Sequence, residues 1–372
     1  MKVSVSPVGL DRFSRANNRD DAKLTAGRVF TRDLRDIRTL CGRGTIEAQP
    51  KVDRKLNVVV IGAGAVGLGL GCGLATQGVG LRIIANREGQ RRALLEEGIS
   101  RSGLFGDLHA PPGSFDVSTS MGSLATERAD VWLVCVKTTD SEHLAQTLGA
   151  VWEKLDHSPA VVLCQNGWGN AETFSRFLPS DRVFNARVIT GFERVGETHV
   201  RITAHADAIH IGSLYGAKTE ELRGLSDAIQ AGGVPCALSE AIEKDLWAKV
   251  LYNGLLNPLG ALVGVPYGAL GEREETRAIM KAIAEETFRV MHVAGYSSHW
   301  DSPSEYLDTF YEQFLPPTAE HQSSMLQDLH AGRPTEIDQL CGAICTLAEK
   351  HGIEAPLHRA LHTLIRVAEQ RH

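Results

Sequence analysis

Lys249, Asn253 and Asn257 are spaced four residues apart in the segment Leu246-Trp247-Ala248-Lys249-Val250-Leu251-Tyr252-Asn253-Gly254-Leu255-Leu256-Asn257-Pro258. On a helix, steps of four advance a side chain by only about 40° around the axis. One ammonium and two carboxamides therefore share a narrow stripe on an otherwise apolar helix. Such a set can donate a proton and hold a small polar molecule, because a buried ammonium must be paired, neutralised or used. Pro258 is predicted to end the stripe in a kink, since it offers no N–H to the Gly254 carbonyl and restricts Asn257. The plain alternative is a partly exposed amphipathic helix whose lysine reaches water.

Other polar residues could join this stripe. In Thr318–Leu329, His321, Ser324 and Asp328 have helical spacing. In Arg333-Pro334-Thr335-Glu336-Ile337-Asp338, Thr335 is suited to an N-cap and Glu336 to the first turn, where the dipole keeps a carboxylate ionised. Capping alone would also explain Glu336. Two apolar runs end in polar residues: Asp130–Val136 in Lys137-Thr138, and Ala160–Cys164 in Gln165-Asn166-Gly167-Trp168-Gly169. In an open parallel sheet the carboxyl ends of the strands form the ligand crevice, so Lys137 and Asn166 fall where cofactor and substrate should meet. As isolated features both also fit ordinary turn chemistry.

The elements that must position these residues begin at Asn57-Val58-Val59-Val60-Ile61, followed by Gly62-Ala63-Gly64-Ala65-Val66-Gly67 and a small-residue helix through Ala75. Strand, glycine turn and helix in that order form a dinucleotide site: Gly62 for the tight turn, Gly64 for approach to a pyrophosphate, Gly67 for close helix–strand packing. The pyrophosphate would sit at the helix N-terminus. The alternative is a packing turn. A second strand, Leu81–Ala85, ends in Asn86-Arg87, about 20 residues past the last glycine, where an NAD site places an acid. Arg87 stands there instead, so the expected cofactor is NADP (NADPH), although Glu88 follows.

Between 183 and 215, the segments Val183–Ile189, His199–Thr203 and Ala208–Gly212 suggest antiparallel strands extending the sheet. Thr219–Gln230 reads as a helix and Val234–Leu238 as a last strand. From Ser239 the periodicity is helical apart from 297–317. The expected fold is an α/β N-terminal Rossmann-type dinucleotide-binding domain (56–238) plus an all-α C-terminal substrate and catalytic domain (239–372).

Residues 1–55 carry thirteen Lys/Arg against seven Asp/Glu and read as a basic, mobile extension. Their acids argue against a transit peptide, and a misplaced start codon would also account for them. The 372 residues suffice for two domains, and a net charge of −6 gives no case for nucleic acid as a partner. Seven scattered cysteines read as reduced core residues. Cys341 and Cys345 would share a helix face without a second ligand pair, so no metal site is expected. No apolar run approaches the ~18 residues of a membrane span. A cytoplasmic protein is expected, and a homodimer is compatible with the sequence.

The assembled motifs closely resemble those of the ketopantoate reductases (2-dehydropantoate 2-reductases), over about 57 to 368. They are G-A-G-A-V-G at 62–67, V-K-T at 136–138, Q-N-G at 165–167, L-W-A-K-V-L-Y-N-G-L-L-N-P-L at 246–259, S-S-M-L-Q-D at 323–328 and R-P-T-E-I-D at 333–338. The resemblance implies NADPH-dependent reduction of ketopantoate to pantoate, in the route to pantothenate and coenzyme A, with Lys249 as general acid. It implies substrate contacts from Asn253, Asn257, Ser324 and Asn166. Gly62, Ala63, Gly64, Ala65, Val66, Gly67, Arg87, Lys137, Asn166 and Glu336 would serve the cofactor, with Glu336 also near the reacting end. The chain departs from the family at Tyr267 and His321, where asparagine is often found, and near Glu193. These departures leave room for a paralogue acting on another small 2-oxo acid. A non-catalytic NADP-binding sensor is the reading from another class, and the intact stripe argues against it.

Overall fold

The computed structural model describes residues 55–126 and 128–370. All but the last residue of the basic stretch 1–55 lies outside them. Twelve strands occur among the described residues: β1 Asn57–Ile61, β2 Gly80–Ile84, β3 Ile99–Gly103, β4 Leu108–Ala110, β5 Asp116–Ser118, β6 Val131–Val134, β7 Ala160–Leu163, β8 Val183–Arg187, β9 Thr190–Arg194, β10 His199–His205, β11 Ile209–Gly212 and β12 Cys236–Leu238. The main sheet has the order β12-β11-β8-β7-β6-β1-β2-β5. Its centre, from β8 to β5, is parallel, and β11 runs antiparallel to β8. The β-branched runs VVVI, VWLV and AVVL are buried along their length, as strands covered on both faces must be.

The first helices are α1 Ala65–Thr76, α2 Glu88–Glu97, α3 Ser141–Trp152, α4 Asn170–Ser175 and α5 Arg223–Ala231. Because β1 is followed by β2 on one side and flanked by β6 on the other, the chain reverses direction beside β1. Crevices form at such a switch point. It is here that the glycine turn, Lys137 and Asn166 emerge.

The segment His199–Thr203 does not extend this sheet. It lies in β10 of a separate four-stranded sheet, β4-β3-β10-β9, where β10 pairs in parallel with β3 and antiparallel with β9. Val183–Arg187 joins the main sheet in parallel, and the Ile209 strand supplies the antiparallel partner.

Beyond β12 the chain is helical: α6 Ile242–Val263, α7 Tyr267–Glu272, α8 Glu274–Val293, α9 Pro303–Thr309, α10 Ser324–His330, α11 Ala343–Lys350 and α12 Pro356–Glu369. The stretch 297–317 is not irregular throughout, since it holds α9 and a π turn at Phe310–Phe314. The helix α6 forms the centre of this half, with Leu246, Trp247, Val250, Leu251, Leu255 and Leu256 buried in one core. Pro258 lies inside it and Asn257 stays helical. The helix runs 22 residues to an αL cap at Gly264, because packing on α8, α10 and α12 offsets the roughly 3 kcal/mol a proline costs inside a helix.

The described residues form one compact unit. Asp245, buried on the first turn of α6, accepts hydrogen bonds from His210 Nδ1 on β11 (3.0 Å), Ser239 Oγ (2.6 Å) and His299 Nε2 (2.8 Å). It thereby ties sheet to helices. Six cysteines among the described residues are free. No described helix is long and apolar enough to cross a membrane.

Candidate active site

At the carboxyl end of β1, Gly62 has φ +109°, and a Cβ there would lie 2.9 Å from the Cys135 backbone. A Cβ on Gly67 would lie 2.0 Å from the Gly62 carbonyl oxygen. The turn is thus closed on its protein side. At Gly64 the nearest atom to such a Cβ is 3.9 Å away, and Gly64 begins α1 with no side-chain cap. The first N–H groups of α1 are therefore left to face the crevice, an arrangement suited to a pyrophosphate. Gly62, Gly64 and Gly67 thus have the conformation and clearances that a dinucleotide cradle needs, and Ala63, Ala65 and Val66 lie on the same turn.

Arg87 stands at the end of β2, immediately before α2, and is half exposed. Its Nη2 donates to both carboxylate oxygens of Glu197, at 3.0 and 2.7 Å. The neighbouring Glu88 is turned away into ion pairs with Arg91 and Arg92. It therefore does not neutralise Arg87.

Asn166, Asn253, Asn257, Ser324, Asp328 and Glu336 line a cleft of about 250 Å³, counting space open to solvent. Met325 and Leu340 complete it. Five residues singled out in the sequence for substrate or catalysis, from four separate segments, meet here. The uninterrupted α6 brings Asn253 and Asn257 to it on one stripe. Asn257 is buried, and its Oδ1 accepts a 2.6 Å hydrogen bond from the Tyr267 hydroxyl. Asn253 and Ser324 make no side-chain hydrogen bond among the described residues, so both remain available to a ligand.

Glu336 joins the two halves. Its Oε2 accepts from Asn166 Nδ2 at 2.8 Å and its Oε1 from Thr138 Oγ1 at 3.1 Å. Thr335 does cap the turn that follows, its Oγ1 accepting from the Ile337 N–H at 3.3 Å, but that turn is not an α-helix and Glu336 is not in one. It lies on a bend before a π turn at Asp338–Gly342, and Thr335 Oγ1 donates to Glu369. The loop bearing Asn166 is held in place by its neighbours. The buried Trp168 ring lies 4.5 Å from the Trp247 ring, the Trp168 backbone N–H donates to the Gln339 carbonyl (3.0 Å), and Asn170 Nδ2 donates to the Asn166 carbonyl (2.8 Å).

Lys249 is placed beside this cleft rather than in its lining. Its Nζ donates to the Val188 carbonyl just past β8. Burial pushes its pKa down, the charge of Glu336 pulls it back up and Arg187 lowers it further, which leaves it at about 8. An ammonium has three N–H donors, so two remain beyond the Val188 contact. Lys137 bridges to the helical half through Asp328 Oδ2 (3.0 Å) and the Pro334 carbonyl (3.3 Å). Asp328 also accepts from Arg333. His321 precedes α10 rather than lying on it, so the expected stripe with Ser324 and Asp328 loses its first member. Its carbonyl accepts from Tyr267 N (3.0 Å), and its ring packs against the Tyr267 ring at 5.3 Å.

The sequence reading missed Thr138, Tyr267 as a partner of Asn257, and the Val188 carbonyl. Thr138 was visible as the residue after Lys137 at a strand end; no local signal marks the other two. Among the described residues no group of histidine, cysteine and carboxylate side chains could hold a metal ion.

Residues 58–216 match the family described as "Ketopantoate reductase PanE/ApbA", and residues 241–369 match "Ketopantoate reductase PanE/ApbA C terminal". The 2-dehydropantoate 2-reductase of Aquifex aeolicus is 31% identical over 315 residues, 84% of this chain and 97% of that one. A PanE/ApbA family ketopantoate reductase from Ralstonia eutropha has a crystal structure that superposes with a TM-score of 0.73 at 30% identity, covering 85% of this chain and 99% of its own. A ternary structure of D-mandelate dehydrogenase with NADH and anilino(oxo)acetate reaches the same TM-score at 21% identity, with 85% and 99% covered. That last likeness is one of fold.

Proposed function

We propose that this protein, which belongs to the ketopantoate reductase family, reduces 2-dehydropantoate to pantoate with NADPH. The observation that carries the reading is the convergence of Asn166, Asn253, Asn257, Ser324 and Glu336 on one cleft beside a lysine whose pKa lies near 8. Residues 56–238 would serve the cofactor and 239–372 the substrate.

NADPH, when bound, supplies the hydride that goes to the 2-oxo carbon. As negative charge develops on the carbonyl oxygen, Lys249 gives it a proton. A lysine titrating near 8 is mostly protonated at neutral pH and still a competent acid. Glu336 keeps that ammonium charged, and its bonds to Asn166 and Thr138 hold it across the cleft. Asn253 and Ser324 hold the substrate's polar groups with fixed donors, which stabilise charge better than mobile water does. The Tyr267 bond fixes which way the Asn257 amide points. The cradle at Gly62–Gly67 takes the pyrophosphate, Arg87 the 2′-phosphate, and Lys137 borders the cofactor's path.

One observation favours a second reading, a reductase of another small 2-oxo acid. The buried Tyr267 side chain, packed on His321, hydrogen-bonds Asn257, at one of the positions where the sequence departs from the motifs it resembles.

Lys249→Ala tests the mechanism. Turnover should fall by at least about a hundredfold while NADPH binding, followed by nucleotide fluorescence, stays within about twofold. Unchanged turnover would remove Lys249 as the acid.

A further inference from the structure

The tip of the β9–β10 hairpin is fastened to the glycine turn. Gln90, buried on α2, donates its side-chain amide to the Ala63 carbonyl (2.8 Å) and to the Glu197 carbonyl (3.0 Å). The second sheet thereby becomes one wall of the place where the adenosine ribose would lie. On that wall the Glu197 carboxylate is shared by two guanidiniums. Arg87 reaches it from the main sheet at 2.7 Å, and Arg194 from β9 at 2.6 Å. Arg194 Nε also donates to the Gly196 carbonyl (2.9 Å), which holds its fork beside Glu197.

Two arginines on one carboxylate leave one positive charge uncompensated. A phosphate monoester carries nearly two negative charges at neutral pH and three acceptor oxygens, so it complements the pair better than Glu197 does. All three side chains are partly exposed, and ion pairs of that kind are weak. The carboxylate is therefore displaceable.

We propose that Arg194 is a second guanidinium for the 2′-phosphate of the nucleotide, and that Glu197 is a built-in competitor that holds the two arginines together until the phosphate replaces it. Glu197 thus tunes the preference for the phosphorylated over the unphosphorylated nucleotide. Arg194 adds affinity only when the phosphate is present. The inference rests on the NADPH reading and adds two residues to it.

The experiment is calorimetric titration of the full chain with 2′,5′-ADP and with 5′-ADP, without turnover. Arg194→Ala should weaken 2′,5′-ADP about tenfold, as loss of a charge-assisted contact does, and leave 5′-ADP within about twofold. Glu197→Gln should tighten 2′,5′-ADP by about threefold or more with 5′-ADP unchanged. Arg194→Ala weakening both ligands alike or neither would overturn the proposal, as would Glu197→Gln weakening 2′,5′-ADP. If Arg87→Ala abolishes the preference and Arg194→Ala does not, this inference falls while the NADPH reading stands. If the unmodified protein binds both ligands equally, both fall.

Discussion

Replacing Glu336 by glutamine removes one negative charge from the site while keeping the shape of its side chain. Burial lowers the proton affinity of Lys249 most, the charge of Glu336 raises it and that of Arg187 lowers it further, leaving the pKa at about 8. If the protonated form is the acid, kcat/KM for reduction should be flat near pH 7 and fall above pH 8. With a single group titrating at about 8, roughly a tenth of the enzyme is active at pH 9. Glutamine can still accept from Asn166 Nδ2 and offer its amide to Thr138 Oγ1, so the cleft should keep its form. The charge is lost, however, and one charge in a partly desolvated site is worth on the order of 1 kcal/mol, or up to about one pH unit. The alkaline limb should therefore move down, toward pH 7, and activity at pH 8 should drop several-fold more than at pH 6. The assay is NADPH oxidation followed by absorbance from pH 6 to 10, for the unmodified protein and Glu336→Gln. A limb that stays in place or moves up, or an unmodified profile with no limb between 7 and 10, would refute the coupling.

The glycine turn separates a binding effect from a folding effect. Gly64→Ala meets nothing closer than 3.9 Å, so its melting temperature should be unchanged while dinucleotide affinity drops by at least about tenfold. Gly67→Ala forces a Cβ to 2.0 Å from a backbone oxygen and should cost about 3 kcal/mol or more, read as a lower melting temperature. Similar melting losses in both variants would contradict the cradle. Tyr267→Phe strands the buried Oδ1 of Asn257, which should cost about 1–3 kcal/mol of stability and raise the KM for the oxo acid, with the KM for NADPH unaffected. Burial alone would raise the pKa of Asp245, but its bonds from His210, His299 and Ser239 hold it well below the ordinary carboxylate value. That stability is present at neutral pH and lost as pH falls below about 4. Asp245→Asn should be less stable by about 2 kcal/mol at pH 7, a gap that narrows on acidification; a gap independent of pH in denaturant titrations would refute it.

Much of this site was legible because its information is local. Three polar residues at steps of four on an apolar run could only form a stripe, and Gly62, Gly64 and Gly67 between a strand and a helix could hardly be arranged otherwise. What stayed hidden depends on distant pairing. β3 (Ile-Ser-Arg-Ser-Gly) and β4 (Leu-His-Ala) are short, with too little alternation to announce strands. Without β3 nothing in His199–Thr203 reveals that it leaves the main sheet. Pro258 was over-read because its cost is local, whereas the packing that offsets it comes from α8, α10 and α12. No local signal marks Glu197, and only the fold brings it between Arg87 and Arg194.

NADPH oxidation with purified protein and 2-dehydropantoate, beside pyruvate and 2-oxoisovalerate, decides what the cleft reduces. The kcat/KM for 2-dehydropantoate should be at least about tenfold above that for either other acid, a margin a few fixed polar contacts can supply. Reduction of another acid in preference, or no oxidation with 2-dehydropantoate while NADPH binds, would contradict the proposed function.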